Sequence, residues 1–332
     1  FGDNTMKMIR RMFPAATLAL LACSPWAFSS AVAQPAYPSA PIKIIVPYPA
    51  GGASDAVARM IGEKLQQAWG QPVYIDNKPG ASGIIGTQAT IKSPADGYTL
   101  LAHNSVLIQQ PAVMEKLSFN PFKDLLPVVM TIRTTNLFVV PNDSPVKSVA
   151  EFVAQAKGNP NKASYGSYGI ASGAHFQGEL LKMQAGVDLA HAPFQGSAPM
   201  ITNIVGGQLP SAFIDVPSAL PHIKSMRPLA VGGPQRLQEL PNVPTFAELG
   251  YKSFEPMGWH GLFLPAGAPP AVAQKIANEV SNILRMPDVL AKLKTLGVIA
   301  GGGTPDEFAQ QIKADAPVYA EIAKAANIRL TQ

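Results

Sequence analysis

The stretch Ile42–Arg59, IKIIVPYPAGGASDAVAR, holds the residues best suited to chemistry in this chain. It reads as an apolar strand, a Pro/Gly turn over Pro47–Asp55 and the start of a helix. Such a turn aims backbone N–H groups and the positive end of the helix dipole at whatever lies above the sheet edge. It can hold an anion with no Lys or Arg. The same residues also make a plain strand-to-helix turn, with Gly51 and Gly52 giving conformational freedom, Ser54 as N-cap and Asp55 facing the helix dipole. Both readings stand at this point. The turn fits neither G-x-x-x-x-G-K-[ST] nor G-x-G-x-x-G, so nucleotides are disfavoured and no cofactor is expected.

A second turn, Lys78–Gly86 (KPGASGIIG), repeats the Gly-rich pattern and reads as architecture. The third, Gly166–His175 (GSYGIASGAH), is richer: Ser167 and Ser172 offer hydroxyls, and Gly169 and Gly173 let a backbone approach a ligand closely. A secreted α/β serine hydrolase, built on Ser172 or Ser82 with one of the histidines, is the rival reading. A nucleophile elbow needs G-x-S-x-G, whereas Gly169-Ile170-Ala171-Ser172-Gly173 does not supply it. Asp215 ends an apolar strand just before Pro217. It suits either recognition of a ligand ammonium or hydroxyl, or a bond to its own next turn. Tyr48, Phe194 and Trp259 could supply apolar pocket walls, although aromatic residues at strand ends are usually core. His103, His175, His191, His222 and His260 lack metal-ligand spacing, so no metal is expected; His103 and His175 lie best, beside strand ends.

These turns need strands and helices to hold them. Ile42–Tyr48, Val73–Ile75 and Tyr98–Ala102 read as strands; Ser54–Trp69 and Gly83–Lys92 read as the helices between them. That alternation predicts a parallel sheet with helices on both faces. Phe119–Pro127 reads as loop. A second series follows, with strands at Leu137–Val140, Ala163–Tyr168, Leu189–Phe194, Ala212–Val216 and Leu229–Val231. Its helices are Val149–Lys157, Ala174–Ala185 and Ala198–Val205, and Pro217–Ser225 is a helical or turn segment. Leu262–Leu264 is a short strand before three helices, Ala271–Arg285, Pro287–Leu296 and Pro305–Ala326. One α/β unit, then another, then a return predicts two lobes joined by crossings near Phe138 and Trp259. The lobes divide as 34–138 plus 259–332, and 139–258. Ligands of such folds lie at the carboxyl ends of parallel strands, here the cleft between the lobes.

Bulk composition narrows the field further. Lys7, Arg10 and Arg11 precede an apolar stretch, Phe13–Leu21, and Ala31-Val32-Ala33 fits a small-x-small cleavage site. Met6–Ala33 therefore reads as a secretory signal cut after Ala33, too short and Pro-interrupted to span a bilayer. Phe1–Thr5 read as a leader ahead of the start. Cys23, the only cysteine, goes with the signal, which removes disulfide, thiolate and cysteine-metal chemistry together. Net charge is +5; without Asp3, Lys7, Arg10 and Arg11 it is +3. Those bases are scattered, which argues against nucleic acid.

The segments VPYPAGGASDAVAR, DNKPGASGIIGTQAT, SPADGYTLL, YGSYGIASGAHFQGELL, FQGSAP, VGGQLP, LPNVPTFAELGY and GWHGLFLPAGAP together resemble the Bug family of extracytoplasmic solute receptors, which serve tripartite tricarboxylate transporters. They run in order from about Tyr37 to the C-terminus. The resemblance implies a periplasmic two-domain (Venus-flytrap) α/β binding protein, a monomer and not an enzyme. It would close around a small di-, tri- or aromatic carboxylate and pass it to membrane transporter subunits or a sensor kinase. Carried over, Tyr48, Ala53, Ser54 and Asp55 line one side of the ligand. Ser167, Ala171, Ser172, Phe194 and Asp215 line the other, with Asn104 and Ser105 on the hinge side. Ala53 departs from the Pro common in the family, which bears on the rigidity of the first turn. Leu209–Ala212 and Ser225–Pro228 also depart, away from the ligand.

Overall fold

The computed structural model describes residues 37–114, 116–159, 163–254 and 258–328. The expected secretory signal and its expected cleavage site lie outside them. Strand and helix alternate as the spacing predicts: β1 (Ile42–Val46), α1 (Ala53–Trp69), β2 (Val73–Asn77), α2 (Ile84–Ile91) and β3 (Thr99–Asn104). After α3 (Val106–Val113) and a single turn, α4 (Pro121–Asp124), comes β4 (Leu125–Thr134). The second series is β5 (Asn136–Pro141), α5 (Val149–Gly158), β6 (Ser164–Ser167), α6 (Gly173–Ala185), β7 (Ala190–Pro193), α7 (Ser197–Val205), β8 (Ala212–Asp215), α8 (Val216–Ala219) and β9 (Met226–Val231). The chain ends with β10 (Gly258–Pro265), α9 (Pro270–Leu284), α10 (Pro287–Thr295), β11 (Ile299–Gly302) and α11 (Pro305–Ala325).

Two sheets result, ordered β11-β4-β10-β3-β1-β2 and β7-β6-β8-β5-β9. Both are mixed and flanked by helices, with the expected parallel pairing in the βα units and antiparallel partners completing each sheet. β1 runs parallel to β2 and β3, and β6 parallel to β7 and β8. β10 is antiparallel to β3 and β4, and β5 is antiparallel to β8 and β9. The reason is topological: β5 and β10 are the strands by which the chain enters each sheet from the other. Thr135 alone separates β4 in the first sheet from β5 in the second.

The expected loop over Phe119–Pro127 is partly strand. Pro127, with no N–H to give a ladder, reads as a breaker. It is tolerated because the β4–β10 register shifts between Leu262 and Phe263, beside their partners Val129 and Pro127. β11 and α3 also escape the sequence pattern, the latter with Pro111 inside it.

Burial explains why the strands read as nearly continuous apolar runs. Ile42, Ile44 and Val46 pack with α1 and α9 on one face of the first sheet, while Ile45 joins Leu101, Trp259 and Phe308 on the other. In β5, Phe138 and Val140 face one core of the second sheet, and Leu137 and Val139 face the other. A strand covered on both faces has no solvent side to mark with polar residues. α11 serves both halves: Phe308, Ile312 and Tyr319 pack beneath the first sheet, and Ile322 and Ala323 join a core of the second. Close backbone packing seats α6 on β6. A Cβ at Gly178 would lie 2.0 Å from the Tyr165 ring.

Candidate functional site

A cleft of about 820 Å³, counting the solvent at its mouth, opens between residues of the two sheets. Four helices begin at its wall: Gly52 and Ala53 at α1, Ser105 at α3, Gly173 at α6, and Gly196 and Ser197 at α7. The first amides of a helix lack intrahelical acceptors and carry its positive end, so this convergence favours a negative guest. Among the described residues lining the cleft there is no Lys or Arg.

Tyr48, Ala53, Ser54, Asn104, Ser105 and Asp215 all line the cleft. Tyr48 Oη donates to Asn104 Oδ1 at 3.0 Å, and the same oxygen accepts Val106 N–H at 3.1 Å, so the first turn and β3 are tied at the wall. Ser54 was expected to cap α1. The helix instead starts at Ala53 with Gly52 as N-cap, and Ser54 Oγ lies 3.3 Å from His260 Nδ1. Asp215 caps α8: Ser218 N–H donates to Oδ2 at 3.2 Å, and Ser197 Oγ donates to Oδ1. Burial pushes the Asp215 carboxyl above its ordinary range, against the downward pull of those bonds.

Asp55, Ser167, Ala171, Ser172 and Phe194 do not line the cleft, and each is engaged elsewhere. Asp55 turns back to accept Gly51 N–H and Arg59 Nε, both at 3.0 Å, and Asn77 Nδ2 at 2.9 Å. Burial pushes its carboxyl up, but those bonds and the Arg59 charge outweigh burial and leave it below the usual range. Ser167 Oγ bonds His191 Nε2 at 2.7 Å and Gly169 O at 3.0 Å. Ser172 is the N-cap of α6, accepting His175 N–H at 3.2 Å, so α6 presents Gly173 to the cleft rather than Ser172. Ala171 holds a left-handed φ of 60° and donates its N–H to His175 Nδ1. Phe194 packs on the core of the second sheet.

Neither His103 nor His175 reaches the cleft. His103 lies beneath Tyr48, ring centroids 5.5 Å apart, and His175 stacks on His191 at 4.1 Å. His260 does line it, beside Trp259, whose Nε1 donates to Asp315 Oδ2 at 3.0 Å. Further wall residues carried no sequence signal: Gln109 on α3, Asn136 on β5, and Tyr319 and Ile322 on α11; Gln177 on α6 lay only within the quoted segment YGSYGIASGAHFQGELL. They sit on helical or strand faces whose spacing says only that they are inward. Ser197 was more legible, as the serine of FQGSAP.

The Ser–His contacts present do not make a hydrolase. Burial drives His260 and His191 down to about 3, and neighbouring His103 and His175 respectively push the same way. A base that weak at neutral pH accepts a serine proton poorly. No carboxylate is hydrogen-bonded to either ring among the described residues.

The turns of the two halves touch around the cleft. Ala53 N–H donates to Ser218 Oγ at 3.0 Å. A Cβ at Gly196, where φ is +110°, would meet Pro49 Cδ at 3.1 Å, and one at Gly169 would meet Ser82 Oγ at 3.0 Å.

Comparison with known proteins gives these features a context. Residues 57–327 match the family described as "Tripartite tricarboxylate transporter family receptor". The chain is similar to protein BugT of Bordetella pertussis (strain Tohama I), with 33% identity over 280 residues that span 83% of this chain and 86% of BugT. Its fold is similar to that of Rpa4515 of R. palustris, solved with adipate: TM-score 0.85, 31% identity, covering 88% of this chain and 99% of that one. It is also similar to MatC of Rhodopseudomonas palustris, solved with bound malate: TM-score 0.82, 26% identity, covering 86% and 99%.

Proposed function

The chain belongs to the tripartite tricarboxylate transporter family of receptors, and from that premise we propose that it captures a small organic carboxylate in the cleft and delivers it to membrane transporter subunits. The family is one of solute-binding receptors rather than enzymes. One observation carries the ligand class: four helix N-termini meet at a cleft whose described walls hold no cation. A carboxylate can accept several N–H bonds there without an ion pair. Adipate and malate, bound by the similar structures, are the first guests to test.

In this reading Tyr48, Ala53, Ser54, Asn104, Ser105 and Asp215 contact the guest. Asp55, Ser167, Ala171, Ser172 and Phe194 brace the turns that do so. Burial raises the Asp215 carboxyl, and Ser197 and Ser218 hold its two oxygens, so it faces the guest as a fixed wall group. The lobes are 34–138 plus 259–332, and 139–258, to within several residues, pivoting where β4 passes into β5 at Thr135. The guest bridges them and shifts the open–closed balance by binding the closed form better. The protein is exported by its leader, cut after Ala33, and acts as a periplasmic monomer; a sensor kinase is a second candidate recipient of the closed form.

Titration calorimetry against mono-, di- and tricarboxylates, aromatic ones included, tests the ligand class. At least one carboxylate binds, and the melting temperature rises with its concentration by mass action. Binding confined to neutral sugars or metal ions would overturn it.

A further inference from the structure

Ser218 carries no charge, yet it makes a direct bond from one half of the molecule to the other. It sits in α8, just after β8 of the second sheet, and its Oγ accepts Ala53 N–H, the first amide of α1 beside the first sheet. Both residues are buried, at 5% and 7% exposure. Ser218 is itself held in place, because its N–H donates to Asp215 Oδ2 while Ser197 Oγ donates to Oδ1 of the same carboxyl. On the other side, the Gly52 N-cap of α1 has no side chain to offer, so the helix brings no local acceptor for its leading amides. Ser218 supplies one, and it can do so only while the halves are together. Pro49 beneath Gly196 and Ser82 beneath Gly169 show the same rims in close approach.

We infer that Ser218 is a positioning residue of the receptor: its hydroxyl ties α1 to α8 across the cleft and holds a fraction of the empty protein closed before a guest arrives. A guest then finds part of the receptor already in its binding geometry, since apparent affinity scales with the populated competent fraction. The inference rests on the receptor reading only for what closure serves. The bond acts in the empty protein.

Small-angle scattering of the ligand-free protein tests it, comparing wild type with Ser218→Ala, Ala53→Pro and the double variant. Ala53 is the first helical position, where proline is well tolerated, so Ala53→Pro deletes the donor while keeping the helix start. Each single variant lowers the closed-to-open ratio about fivefold, the worth of one neutral hydrogen bond, and raises the radius of gyration. The double variant goes no further than either single, because both remove the same bond. Superimposable scattering from wild type and Ser218→Ala, or single effects that add, overturns the inference. Failure of every carboxylate to contract the wild-type protein would instead sink the receptor reading, leaving the ligand-free comparison to decide the role of Ser218.

Discussion

Asp55 shows how a residue can matter to a site without touching its contents. Its two oxygens collect Gly51 N–H, Arg59 and Asn77, tying the first turn to the body of α1 and to the end of β2. Asp55→Ala leaves those donors without their acceptor; about 2 kcal/mol of stability is expected to be lost, read by urea unfolding, with guest affinity falling through a loosened turn. If Asp55→Ala unfolds like wild type, the carboxylate is not the hub of the turn. At this scale the sequence was readable in part. Gly-rich turns before helices marked Tyr48, Ala53 and Ser54, whereas Gln109, Asn136 and Tyr319 became wall residues through tertiary placement alone. Ser172 and Asp55 show the limit: residue type and spacing found the turn, but could not say which way each side chain pointed.

At the scale of elements, the seat of α6 on β6 is a single close contact. Gly178→Ala would place a methyl group 2.0 Å from the Tyr165 ring, which is buried and cannot move aside freely. Overpacking of this kind costs about 1–3 kcal/mol, and more if the helix lifts. Because α6 presents Gly173 to the cleft, the same change is expected to weaken guest binding; calorimetry and thermal melts on one preparation read both. An unchanged melting temperature would show that the sheet yields easily there. The start of α11 at Pro305 was legible in the sequence, and the structure closes it with a capping box between Thr304 and Glu307. β4 was obscured by Pro127, because the bulge that excuses a proline is a property of the partner strand.

Across the whole molecule, three buried histidines and one partly buried, His191, set a pH response. Burial lowers His103 and His175 to about 4, and His191 and His260 to about 3, from 6.5. The unfolded chain therefore binds protons that the fold refuses. Their stabilising contribution is complete above pH 6.5 and is lost as pH falls through the unfolded value toward 4 and 3, by about 1.4 kcal/mol per pH unit for each group in its window. Melting temperature is expected to drop steeply below pH 6.5, and His260→Gln to flatten that limb. A flat profile from neutral pH down to 4 would contradict the burial of these rings.

The sequence by itself determined the order of strands and helices apart from α3, β4 and β11, the places where Gly-rich turns precede helices, and the resemblance to a receptor family. Those are local matters of period, capping and turn chemistry, and each is written within a few neighbouring residues. Only the tertiary structure decided that β5 and β10 enter their sheets reversed, that α11 packs against both halves, and that Ser218 meets Ala53 from 165 positions away. The physical reason is that a strand buried on both faces looks the same in either direction, and a serine looks the same whether it meets water or a distant amide.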